Sequence, residues 1–320
     1  MKMHNNFEKY KLLIIIPICI LCIVIFMEVI ERRNSYFKKW LYFNDAKHEL
    51  KIATVAISPD KEPDVNRFKI VKFVTDIKNT HSNIDLIVFG EVILGWYNVE
   101  SQTYHKEIAE TIPGSTTELI SKLAKENNVF ITFGMAESDN GKIYNSQILI
   151  NNSGEIIDIQ RKKNLRSNFF EPGQESISIV DLNGISTGIV ICYDIRSKES
   201  IKMARDNNVD LIILSNADCI DEWDDKYFGY KYIAKRYNSW IVTSNRFGVE
   251  NETSWDGHIE IFNPFGDLMI SGKLKEQYIV YNLTFNTGHS KNKEIIRKIY
   301  SNVSLVYLVI KNLKIALSYL

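Results

Sequence analysis

Apolar residues fall into short, nearly unbroken runs separated by stretches of helical spacing, an order that predicts alternating strands and helices. "KIATVAIS", Lys51 to Ser58, reads as a first strand, after which Val65, Phe68, Val71, Val74 and Ile77 mark one face of a helix. "IDLIVFG", Ile84 to Gly90, is apolar at successive positions, as in a strand covered on both faces. "STTELISKLAKENN" opens with Ser115 and Glu118 at capping-box spacing, and "VFITFGMAE" follows as a strand. Hairpin turns are signalled at Asn140-Gly141, at Asn151 to Gly154 ("NNSG") and at Asn183-Gly184. "VDLIILS" is again a doubly covered strand, "WDDKYFGYKYIAKRYN" a helix, and "WIVTSN", "HIEIF" and "QYIVYNL" are strands. The expected fold class is α/β, a layered domain whose sheets carry both parallel βαβ units and antiparallel hairpins.

The two ends differ from this pattern. Leu12 to Met27 is a run of 16 apolar residues, extended past Glu28 by Val29 and Ile30. As a helix, Leu12 to Ile30 would be about 28 Å long, close to the thickness of the hydrocarbon core of a bilayer. A single transmembrane anchor is the expectation. A cleaved leader lacks its small-x-small site, and a lipoprotein signal lacks a small residue before Cys19 or Cys22. Lysines precede the run and Arg32, Arg33, Lys38 and Lys39 follow it, so charge leaves the side of the membrane open. The chain divides into 1–31, tail and transmembrane helix; 32–50, juxtamembrane linker; 51–285, the α/β domain; and 286–320, a C-terminal extension. In that extension Leu305, Leu308, Val309, Leu313, Ala316, Leu317 and Leu320 share one face of an amphipathic helix. That face fits a bilayer surface, a partner subunit or the chain's own domain.

Composition narrows the function. Lys and Arg number 39, as do Asp and Glu, and no basic stripe interleaved with aromatics points to nucleic acid. The four cysteines write no disulfide framework, and the six histidines are scattered with no H-E-x-x-H, so no metal is expected.

The chemistry gathers around "GIVICYDIRS", Gly188 to Ser197. Cys192 closes an apolar run, and the next residues turn polar and then helical, with Ser197 or Ser200 to begin the helix. A cysteine at a strand-to-helix corner meets unpaired backbone N–H groups and the positive end of a helix dipole, both of which favour thiolate. Glu91, after "LIVFG", and Lys162, after "EIIDIQR", occupy strand ends as well, where α/β folds build their sites. A thiol, a carboxylate and an ammonium supply a nucleophile, a base and an oxyanion partner.

These three phrases resemble the nitrilase superfamily of carbon–nitrogen hydrolases from about Lys51 to Leu283. "FGEVILGWY" is similar to F-P-E-x-x-x-x-G-Y through Phe89, Glu91 and Tyr97; "QRKKNL" to Y-R-K-x-H-L, selecting Lys162; and "CYDIRSKE" to C-Y-D-x-R-F-P-E. "VTSNRFG" and "GHIEIFNPFG" resemble two further family segments. The resemblance implies an α-β-β-α sandwich, a Glu91–Lys162–Cys192 triad, the Tyr193 backbone N–H beside Lys162 at the oxyanion, and no cofactor. Departures are Gly90 for proline, Asn164 for histidine, Ser197-Lys198 for Phe-Pro, Tyr237 for glutamate, Ile259 for serine, and Phe170 where a second glutamate is usual; Glu171 is the candidate for that role. C-Y-D-x-R is nearest the amidase and omega-amidase branches, which implies hydrolysis of a small non-peptide amide through a thioester, in a subunit that pairs as a dimer. The alternatives are a membrane-bound N-acyltransferase with an amine acceptor and a silent, tethered binding protein.

Overall fold

The computed structural model describes residues 48–286 apart from 98, 100 and 220–222, together with positions 25, 29, 36, 39, 42 and 43; for residues 223–228 only the backbone is described. His48–Phe285 form a compact unit. Its elements are β1 (His48–Ile57), α1 (Pro63–Thr80), β2 (Leu86–Val88), α2 (Gln102–Ile108), α3 (Ser115–Asn127), β3 (Phe130–Asp139), β4 (Lys142–Ile150) and β5 (Ile156–Arg161). Then follow β6 (Ser178–Leu182), β7 (Ile185–Ile191), a 3₁₀ turn (Cys192–Arg196), α4 (Lys198–Asp206), β8 (Leu211–Ser215) and α5 (Trp223–Tyr237). β9 (Trp240–Glu250), β10 (Thr253–Asp256), β11 (Glu260–Phe262), β12 (Leu268–Ser271) and β13 (Gln277–Phe285) complete it.

Hydrogen bonding runs in the order β5-β4-β3-β2-β1-β9-β8-β7-β6, with β13 on β1, and with β10 and β11 on β9. β1, β2 and β3 are parallel, as are β7, β8 and β9, while the outer strands are antiparallel. In the backbone ladder β1 and β9 pair only at Ala56 with Asn245 and Ile57 with Arg246, so the strands form two sheets joined at one corner.

Alternation along each strand divides its side chains between two cores. Ala53, Val55 and Ile57 of β1 and Ile87 of β2 pack under α1 and α3. Leu50, Ile52, Leu86 and Val88 face the other way, against Leu211, Ile213, Trp240 and Val242 of the second sheet. Ile212 and Leu214 of β8 turn outward onto α4 and α5 through Ile201, Ala204, Ile233 and Ala234. The result is α-β-β-α layering, and it explains why "IDLIVFG" and "VDLIILS" are apolar at successive positions. The Asn140-Gly141 and Asn183-Gly184 turns are two-residue hairpins with positive φ at both positions, the type I′ signature.

Two expectations need correction. α1 buries Asn66, Ile70, Val74 and Ile77, whereas Phe68 is 70% exposed and Val65 is exposed too. Asn66 takes the inward position because its amide closes on Asp60: Nδ2 donates to the Asp60 carbonyl at 2.8 Å and Oδ1 accepts its N–H at 2.7 Å. α3 is capped at Gly114, whose N–H goes to Thr117 Oγ1 at 2.8 Å, while the Ser115 hydroxyl donates to Glu110 at 2.8 Å. Among the described residues no helix is long and apolar enough to cross a membrane. The predicted span at 12–30, apart from positions 25 and 29, and the C-terminal amphipathic helix lie outside the described residues.

Candidate active site

Each candidate sits where a strand gives way to a turn. Cys192 follows β7 and opens the 3₁₀ turn with φ +46°, and Val92, next to Glu91, also has φ +46°. Non-glycine residues in this region are uncommon, a β-branched one especially so, and backbone strain of this kind collects at functional sites. Ser197 caps α4 by accepting the Ser200 N–H at 2.9 Å, which aims the helix start at the corner.

Glu91 and Lys162 are both buried, and Lys162 Nζ donates to Glu91 Oε1 at 2.6 Å. Asn145 Nδ2 donates to the same oxygen at 2.6 Å, while Oε2 is buried with no hydrogen bond. Burial pulls the Lys162 ammonium toward its neutral form, but the negative charges of Cys192 and Glu91 and the Glu91 hydrogen bond outweigh it, so its pKa stands well above the ordinary value. The cation lies 5.8 Å from the Tyr97 ring centre. Burial first, and the Glu91 charge second, hold the Tyr97 phenol protonated.

Asp194 of "CYD" ties the Cys192 turn to the loop that follows Lys162. Its buried carboxylate accepts the Lys163 N–H at 2.9 Å, the Asn164 N–H at 2.7 Å and Asn164 Nδ2 at 2.6 Å. Burial raises its pKa against those three donors. Asn164, in the position of the family histidine, therefore serves this anchor. Tyr193 is 46% exposed, with the Arg166 and Arg196 guanidiniums 5.6 and 5.9 Å from its ring centre, and its N–H directly follows Cys192.

Glu171 stands apart from this network. Its side chain is exposed, and its backbone is held by Ile143 at 2.7 Å. The carboxylate that does meet the thiol is Asp218, whose Oδ1 is 3.9 Å from Cys192 Sγ. Sequence reasoning passed over it, although it follows β8 as Glu91 follows β2. Cys219, its neighbour, is a half-buried thiol paired through its backbone with Trp255.

Arg246 was legible only as part of "VTSNRFG". Fully buried, it donates from Nη1 to the carbonyls of Glu91 at 2.9 Å and Val92 at 2.6 Å, and from Nη2 to that of Gly95 at 2.7 Å. Its charge is met by Glu250 through Nε at 2.9 Å, and Glu250 also accepts the Tyr97 N–H at 2.7 Å. The turn carrying Glu91 is thus clamped from β9. Among the described residues no group of three or more His, Cys, Asp or Glu side chains is arranged to hold a metal ion.

A buried ion pair electrostatically coupled to a thiol at a sheet's rim, on an α-β-β-α sandwich, defines a thiol hydrolase class. The chain's sequence agrees: residues 51–287 match the carbon-nitrogen hydrolase family, and the chain belongs to it. It is 27% identical over 235 residues to a nitrilase of Pyrococcus abyssi, covering 72% of this chain and 87% of that protein. It is 29% identical over 186 residues to omega-amidase NIT2-A of Xenopus laevis, covering 54% and 64%. In fold it is similar to Saccharomyces cerevisiae Nit3, a member of branch 10 of the nitrilase superfamily, with TM-score 0.68 and 21% identity over 75% of this chain and 92% of that one.

Proposed function

We propose that this chain hydrolyses a small, non-peptide amide through a Cys192 thioester. Glu91 takes the thiol proton, the thiolate attacks the carbonyl carbon, and the oxyanion is met by the Lys162 ammonium and the Tyr193 N–H. As the intermediate collapses the C–N bond breaks and the proton on Glu91 goes to the departing nitrogen. Water then gives its proton to Glu91 and attacks the thioester; the carboxylic acid leaves and the thiol is restored. Tyr97 and Arg246 are positioning residues, one against the ammonium and the other behind the Glu91 turn.

The observation that carries this reading is the buried Glu91–Lys162 pair at 2.6 Å, electrostatically coupled to Cys192. When the proton passes from the thiol to Glu91 the negative charge passes to the sulfur, where the Lys162 ammonium still balances it, so no uncompensated charge appears in the buried site. The test is ammonia release from a panel of small amides, with Cys192→Ala as control. A thiol-reactive probe should modify Cys192 faster than Cys219, and Glu91→Ala or Lys162→Ala should slow it. Equal modification of both thiols, with no ammonia released, would overturn the reading. Added amine distinguishes water from amine as acceptor, since an acyltransferase would divert the acyl group into a new amide.

Two further elements of the proposal rest on sequence. The apolar run Leu12 to Ile30 supports a single-pass membrane anchor, checked by whether alkaline carbonate extracts the full chain from membranes. The amphipathic face at 305–320 supports pairing into a dimer, checked by light scattering in detergent.

A further inference from the structure

The carboxylate in contact with the thiol has no part in the chemistry above. Asp218 is 3% exposed, and its direction is set from helix α5 and strand β9. The Tyr230 hydroxyl donates to Oδ2 at 2.5 Å and itself accepts from Asn216 Nδ2 at 2.9 Å, while Asn245 Oδ1 accepts the Asp218 N–H at 2.9 Å. Burial, then the Asp218 charge, keeps the Tyr230 phenol protonated, so it remains a donor and leaves Oδ1 turned to the sulfur.

We propose that Asp218 is the specificity carboxylate of this site: it accepts an ammonium or N–H carried on the α or β carbon of the acyl group, and it rejects acyl chains that bear a carboxylate. This rests on the hydrolase reading. When the acyl carbon bonds to Sγ, the atoms one or two bonds further along come within reach of Oδ1. Acylation also removes the thiol hydrogen available to that oxygen, and a donor on the acyl group takes its position. An acyl carboxylate would instead meet a like charge where water cannot screen it. Glu91 Oε2, buried and without a hydrogen bond, is left for the nitrogen that departs.

The test compares alaninamide and 3-aminopropanamide with their neutral isosteres 2-methylpropanamide and butanamide, and with succinamate, using the full chain. The expected order in kcat/KM is cationic over neutral by about tenfold or more, with succinamate last. Asp218→Asn keeps an acceptor for Tyr230 and should bring the cation-to-neutral ratio close to one. A second measurement needs no amide turnover: the rate of Cys192 modification by aminoethyl, methyl and sulfonatoethyl methanethiosulfonate, read on the Cys192 peptide by mass. The aminoethyl reagent should be fastest in the wild type and lose its advantage in Asp218→Asn. The sulfonatoethyl reagent being fastest in the wild type, or ratios that Asp218→Asn leaves unchanged, overturns the proposal. If no amide is hydrolysed while the labelling order depends on Asp218, the amidase reading falls and cation recognition stands. If amides are hydrolysed with ratios indifferent to Asp218, recognition falls and the amidase stands.

Discussion

Gly134→Ala separates placement of the base from stability of the fold. Gly134 lies in β3 beside the turn that carries Glu91; its N–H donates to the Gly90 carbonyl at 3.1 Å, and its carbonyl accepts the Ile93 N–H at 2.9 Å. A Cβ there would stand 2.5 Å from the Val92 nitrogen, 2.7 Å from the Gly90 oxygen and 2.9 Å from Gln147 Oε1. Ordinary contacts of a carbon are about 3.5–4.0 Å, so the turn must retreat by about 1 Å. The first two of those neighbours are backbone and cannot rotate away. Overpacking of this size costs about 1–3 kcal/mol. Each kcal/mol lowers the melting temperature by about 2–4 °C in a domain of this length. The catalytic effect should be as large and is read separately. Glu91 sits inside the displaced turn, and a shift of about 1 Å in a reacting group costs on the order of 100-fold in rate. The assay is kcat for ammonia release beside thermal unfolding followed by circular dichroism. Gly141→Ala is the control, because that glycine has φ +75° with nothing within 4 Å of the added carbon and lies at a hairpin tip. It should lose about 1–2 kcal/mol from left-handed strain and keep its turnover. Turnover of Gly134→Ala within twofold of wild type, or a loss equalled by Gly141→Ala, would refute the reasoning.

Lys162→Met should abolish amide turnover and destabilise the domain by about 3–5 kcal/mol, since it strands the Glu91 charge; adding Glu91→Gln should return part of that stability in urea titrations but no activity. Burial among Tyr104, Phe169 and Phe170 holds His105 down at about 4, against an ordinary 6.5. The unfolded chain then takes up the proton first, so this contribution is complete above 6.5 and declines as pH falls toward 4, by about 2 kcal/mol at pH 5. His105→Phe should remove that decline from the urea midpoints, and a parallel fall in both proteins counts against it. Burial lifts Glu260 to about 8 from 4.5, with Ser271 Oγ on Oε1 at 3.2 Å and no hydrogen bond to Oε2. Here the folded chain keeps a proton that the unfolded chain releases, so stability is greatest below 4.5 and declines as pH rises toward 8, by about 3 kcal/mol at pH 7. Glu260→Gln should therefore gain on wild type between about pH 5 and pH 7, and a constant difference would count against the assignment.

Much of the sandwich was legible because its signals are local. A strand covered on both faces has to be apolar at successive positions, and Leu86, Ile87 and Val88 are that strand, shared between two cores. The Asn-Gly pairs name their own turns. α1 shows where locality stops: Val65 and Phe68 extend one plausible stripe and Asn66 with Ile70 the true one, and both stripes contain Val74 and Ile77. The register was decided by the amide of Asn66 closing on the loop at Asp60, a contact that hydrophobic spacing cannot register. The site divided in the same way. Cys192, Glu91 and Lys162 stand out in the sequence through strand ends and phrase resemblance, whereas the contacts that Asn145, Arg246 and Asp218 make with this cluster come from far along the chain.

Those distant partners have a common origin in the corner where the two sheets join. In the backbone ladder β1 and β9 pair only where the end of β1, Ala56 and Ile57, meets Asn245 and Arg246 in the middle of β9, and these last two are fully buried polar side chains. Arg246 holds the Glu91 turn of the first sheet by three carbonyls. Asn245 accepts the Asp218 N–H of the second sheet and donates to Asp256 at 2.6 Å. Glu91 and Lys162 thus belong to one sheet, Cys192 and Asp218 to the other, and the junction fixes their separation. A shift of one sheet against the other by a fraction of a side chain would leave both hydrophobic cores packed and the chemistry undone. For that reason the corner is built from directional hydrogen bonds, whose energy falls steeply with misalignment, while the layers on either side are built from non-directional apolar burial.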